Sequence, residues 1–124
     1  MNETRPKHLV LHHIKFPLPA IVSVLHRASG GLLFLSLPFL LWTLQYSLRS
    51  IETFTMLVGM LQHPVSKLFL MVILWAFLHH LCAGIRYLAI DLNYGVKLAQ
   101  ARASSKWVLA VSLTLTVLIG AQLW

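Results

Sequence analysis

Residues 68–91 read LFLMVILWAFLHHLCAGIRYLAID. From Leu68 to Ile85 there is no Lys, Arg, Asp or Glu. A hydrocarbon core about 30 Å thick takes about 20 apolar residues of helix, and this stretch meets the need. Two adjacent histidines, His79 and His80, lie inside it, and Gly84, Arg86 and Asp91 follow as the run ends. Ionisable groups at membrane depth are costly and mark function by default.

Two further runs have the same character. Ala28 to Leu48 carries no charge, and Trp107 to Trp124 has no ionisable residue. The 124 residues are 58% hydrophobic and only 10% charged, too apolar for a soluble domain of this size. The expected fold is an all-α membrane protein, a single anchor domain over 1–124. Its transmembrane helices are placed at about 20–48, 65–90 and 106–124, with lengths set by the bilayer. A helix over 20–48 exceeds the core, so its first turns project into the interface. Pro17 and Pro19 suit its start, where a missing N–H costs nothing, and Pro38 is expected to bend it.

The formal charge of +7 does not point to nucleic acid, because the cations flank apolar runs instead of forming a patch interleaved with aromatics. Arg5, Lys7, Lys15 and Arg27 precede the first span; Arg49 and Lys67 flank the first loop; Arg86, Lys97, Arg102 and Lys106 flank the second. That bias predicts a cytoplasmic N-terminus and second loop, in a multi-pass protein of a bacterial inner membrane. Residues 1–16 read as a polar leader at the interface. His8, His12 and His13 within it lack a convincing metal-ligand pattern, and neither a signal nor a transit peptide is expected there. The first loop, Arg49 to Ser66, reads as a short connection with some helical content, and Asn93 to Ser105 as a polar, basic loop. A single cysteine, Cys82, excludes an intrachain disulfide and reads as a buried, inert thiol.

Two polar stripes emerge at helical spacing. On the second span, His80, Gly84, Tyr87 and Asp91 share one face, and His79, Ala83, Arg86 and Ile90 share the next. On the first, Ser23, His26, Arg27 and Gly30 fall together, with Gly30 and Gly31 open to close approach by a helix or a flat ligand. A membrane imidazole can ligate haem iron or simply bond a neighbouring helix. Spacing alone does not choose between His79 and His80. Arg86 falls about 9 Å nearer the cytoplasm than His80 by helix rise, which suits a haem whose propionates face that edge. His26 and Arg27 reach the same edge, where they can also snorkel to headgroups. His26 is expected nearer the edge than His80 and so a poor axial partner. A second imidazole would then come from another chain.

Three segments, RPKHL at 5–9, IKFPLPAIVSVLHRASG at 14–30 and HHLCAGIRYLAID at 79–91, resemble the cytochrome b subunit of succinate dehydrogenase. The resemblance covers the whole chain. Its motifs are S-x-x-H-R-x-[ST]-G and H-x-x-x-G-I-R-x-x-x-x-D. It implies that His80 is the axial ligand of a haem b iron and that Ser23 and Arg27 bind ubiquinone. It places His26 and Arg27 beside the haem propionates. It further implies a sister hydrophobic anchor subunit bundled with this chain and giving the second haem ligand, an iron–sulfur subunit and a flavoprotein subunit. Such a chain has no activity alone. Tyr87 departs from the pattern, standing where family members often have histidine; it can donate one hydrogen bond but carries no positive charge at neutral pH. A fumarate reductase anchor is the nearest alternative. A small transporter or structural bundle without cofactor is the alternative from another class.

Overall fold

A computed structural model describes residues 15–124, and residues 1–14, with the leader's three histidines, lie outside the described residues. The described chain is helical: α1 (Leu18–Ser47), α2 (Ile51–Leu61), α3 (Pro64–Asp91) and α4 (Leu98–Leu123). Helices α1, α3 and α4 are each long and apolar enough to cross a membrane. Helix α2, at 11 residues, is not, and it occupies the connection expected to carry helical content.

Local chemistry sets each boundary. Pro17 caps α1 and Pro19 lies in its first turn, while the helix runs on through Pro38. Ser50 caps α2 through a reciprocal box with Thr53, each side chain taking the other's backbone N–H. At the start of α3 the Val65 N–H donates to the His63 ring at 3.3 Å. At its end Asn93 adopts φ 63°, and the Tyr94 and Asn93 N–H groups bond back to the Ala89 and Ile90 carbonyls. This is the Schellman closure, and asparagine is among the few non-glycine residues that tolerate it.

Helix α4 begins at Leu98, earlier than the expected start near Lys106. Of the segment read as a basic loop, residues 98–105 are two turns of helix and 93–97 remain the connection. Ala99, Ala101 and Ala103 favour helix, and Arg102 and Lys106 keep their charges on the exposed side. The hydroxyls of Ser104 and Ser105 return to the Ala101 carbonyl at 3.1 and 2.8 Å.

Helix α3 is central, packing antiparallel to α1 on one side and against α4 on the other. Val22, Ala83 and Val108 meet where the three helices converge, with Cys82, Tyr87 and Leu109 against them. The α4 face in this contact is small: Ser105, Val108, Ser112, Thr116 and Gly120 are buried. Small residues let membrane helices approach closely. Only 17–28% of each apolar window is buried within the chain, so most of the apolar surface is left for lipid or another subunit.

Candidate functional site

The close approach of α1 and α3 is made at two glycines. A Cβ at Gly30 would lie 2.9 Å from Cε1 of His80, and one at Gly84 would lie 3.8 Å from Nε2 of His26. Gly30 therefore makes room for the His80 imidazole, whereas at Gly84 a Cβ would make only an ordinary van der Waals contact with His26. The two rings stack with centroids 4.2 Å apart and planes 13° apart. The sequence places these residues on facing stripes with His26 nearer the edge, and the contacts keep that order: His26 lies opposite Gly84, one turn beyond His80, and its ring stacks on that of His80.

The hydrogen bonds of His80 determine its tautomer. Its Nδ1 lies 3.1 Å from the His26 carbonyl oxygen and 3.3 Å from the Ser29 hydroxyl. A carbonyl can only accept, so Nδ1 carries the proton and donates it. Nε2 then bears the lone pair, which is the form that ligates metals. Nε2 makes no hydrogen bond among the described residues and is not sealed off by the chain.

His79 is the opposite case. It is fully buried within the helix bundle, stacked on Trp75 at 5.3 Å, and neither ring nitrogen has a hydrogen-bond partner among the described residues. The Val22 carbonyl faces the ring without reaching hydrogen-bond geometry.

Ser23 and Arg27 lie one turn apart on α1, outside the helix contact. Nη2 of Arg27 donates to the Ser23 hydroxyl oxygen at 3.2 Å, and Nε reaches the Ser23 carbonyl at 3.5 Å. Arg27 is exposed and Ser23 half-buried. Because the Ser23 oxygen accepts from Arg27, its own proton is free for an outside acceptor.

Arg86 turns elsewhere. It is buried against α4, donating from Nε to the Ser104 hydroxyl at 2.9 Å and from Nη2 to the Ala101 carbonyl at 3.3 Å. Those two donors are thus engaged by α4. The misread start of α4 hid these partners of Arg86. Tyr87 packs between the two groups, its ring 5.2 Å from that of His26 and 5.3 Å from the Arg86 guanidinium. Its buried hydroxyl has no partner among the described residues.

A cleft of about 550 Å³ lies towards the other end of the bundle, lined by Leu40, Leu61, Leu74 and Trp124 among others. Its walls are apolar except for Gln62 and the indole of Trp124. Polar groups from two helices converge instead at the His26–His80 contact.

The family model for the succinate dehydrogenase/fumarate reductase transmembrane subunit matches residues 1–119. The succinate dehydrogenase cytochrome b556 subunit of Coxiella burnetii is 40% identical, with both chains covered in full. The protein of the same name from Paracoccus denitrificans is 32% identical over 92% of this chain and 88% of its own. A third, from Rickettsia felis, is 29% identical over 93% of this chain and 90% of its own. With three helices long enough to span a bilayer, a polar cluster between two of them and a match over nearly its whole length, the chain belongs to the succinate dehydrogenase/fumarate reductase transmembrane subunit family.

Proposed function

We propose that this chain is the haem-carrying membrane anchor of a succinate:quinone oxidoreductase, a single anchor domain that also forms part of the ubiquinone site. The observation that carries the reading is the tautomer of His80: Nδ1–H is held by the His26 carbonyl, leaving Nε2 bare and unpartnered. That is the donor a haem b iron takes from imidazole. When bound, the haem supplies a one-electron store inside the membrane.

The residues around His80 suit the rest of the group. His26 lies against the ligand ring and Arg27 follows it on the outer face of α1, where both can meet propionate carboxylates. His26 would not join His80 in holding the iron, because its ring lies flat against the ligand ring instead of facing it. The second imidazole therefore comes from a sister anchor subunit, seated on apolar surface that α1 and α3 leave open.

For ubiquinone, Ser23 donates its free hydroxyl proton to a quinone carbonyl. The Arg27 guanidinium stabilises negative charge as it develops on that oxygen. Electrons reach this edge from an iron–sulfur subunit, itself supplied by a flavoprotein that oxidises succinate. Both subunits dock on the cytoplasmic side, with the N-terminus and the α3–α4 turn, in a bacterial inner membrane. The relatives bear succinate dehydrogenase names, which favours succinate oxidation over fumarate reduction as the working direction. Arg27→Ala in the assembled complex should slow quinone reduction roughly 10- to 100-fold, the effect of losing one charge-assisted hydrogen bond. Succinate oxidation by an artificial dye should persist. Unchanged quinone reduction would remove Arg27 from the site.

A further inference from the structure

The Ser29 hydroxyl makes a contact that the proposed function leaves unused. Ser29 is buried, with 3% of its surface exposed, on the α1 face turned towards α3. Its Oγ donates to the His26 carbonyl one turn back at 2.9 Å, a bond serines often make within helices. The same oxygen lies 3.3 Å from Nδ1 of His80 on the facing helix.

The proton count permits only one arrangement. The Ser29 proton is used on the His26 carbonyl, so its oxygen can only accept from His80. The Nδ1–H of His80 is thus shared between two acceptors on α1, the His26 carbonyl and the Ser29 hydroxyl. The His26 carbonyl is itself crowded, taking the Ser29 hydroxyl and His80 besides its place in the helix ladder. A second acceptor therefore matters more here than beside an unshared carbonyl. Gly30, next along α1, forms the third side of this seat, since a Cβ there would press on Cε1 of the ring.

We infer that Ser29 is a positioning residue for the His80 imidazole. Its hydroxyl fixes the plane of the ring and increases the electron donation of Nε2 to an iron bound there. The inference rests on His80 being the haem ligand. Acceptors on the far nitrogen raise the basicity of a ligating imidazole and orient its ring. A more basic ligand favours the ferric state, so removing one acceptor should raise the midpoint potential.

The test is an optical redox titration of the haem in the assembled complex, comparing wild type, Ser29→Ala, Ser29→Thr and His80→Ala. Ser29→Ala should retain the haem and titrate at a higher potential, and Ser29→Thr, which keeps a hydroxyl within reach, should return the potential towards wild type. Should Ser29→Ala fail to assemble, Ser29→Cys serves instead, since its thiol fills the site but is a weak acceptor; a raised potential again supports the role. A wild-type potential in Ser29→Ala, or in Ser29→Cys where that stands in, overturns the inference. So does an equal shift in Ser29→Thr and Ser29→Ala, which would make the effect one of packing. His80→Ala separates the two claims: a wild-type haem spectrum there would remove the ligand assignment itself, whereas its loss alongside a silent Ser29→Ala removes only the positioning role.

Discussion

Two histidines adjacent in sequence have opposite surroundings. His80 meets Gly30 and two oxygen atoms of α1, while His79 turns into the bundle against Trp75 with both nitrogens unpartnered. Burying a polar group without a hydrogen bond costs free energy, by about 1–3 kcal/mol in protein mutational data. His79→Leu exchanges such a ring for an apolar side chain of similar size. The complex should keep its stability or gain up to about that much, and its haem spectrum should be unchanged. Thermal unfolding in detergent and an absorption spectrum check this; a lost or shifted haem band would give His79 a part in the site. Neither imidazole could be chosen from spacing, since both fall on stripes with plausible neighbours. The distinction arises across the helix contact, at a glycine fifty residues earlier in the chain.

Among the helices, the three apolar runs were legible because charge is absent from them and proline, asparagine and glycine mark their ends. The first two turns of α4 were not. Their glutamine, arginine and serines read as a loop until Arg86 is seen to bond Ser104 and Ala101 from the neighbouring helix. A tertiary partner of that kind leaves no local signal. The same bond yields a prediction. Ser104→Ala strands the Nε donor of a buried arginine, which should cost about 1–3 kcal/mol. Combined with Arg86→Met, which removes the donor as well, the loss should fall short of the sum of the two single effects. A double-mutant cycle on the melting temperature of the complex measures it; strict additivity would mean that the contact does not hold α4.

The molecule as a whole is a thin bundle with most of its apolar surface facing outward. That is sound in lipid, where helices gain little from burying apolar side chains against one another and associate through small residues and hydrogen bonds. The positive-inside bias predicts that the α3–α4 turn faces the cytoplasm and α2 the opposite side. In a Cys82→Ala background, Ala99→Cys should react with a membrane-impermeant maleimide from the cytoplasmic side only, and Thr55→Cys from the opposite side only. Both positions are exposed. The reverse pattern would invert the topology and move the site to the wrong leaflet for a cytoplasmic electron donor.

The reading depends most on iron reaching the bare nitrogen of His80. The measurement that decides it is the reduced-minus-oxidised optical spectrum of the purified complex, taken for the wild type and for His80→Ala. The wild type should show the bands of a six-coordinate b-type haem, and the variant should lose them or show an altered coordination state. A colourless wild-type complex, or a His80→Ala spectrum indistinguishable from the wild type, would contradict it.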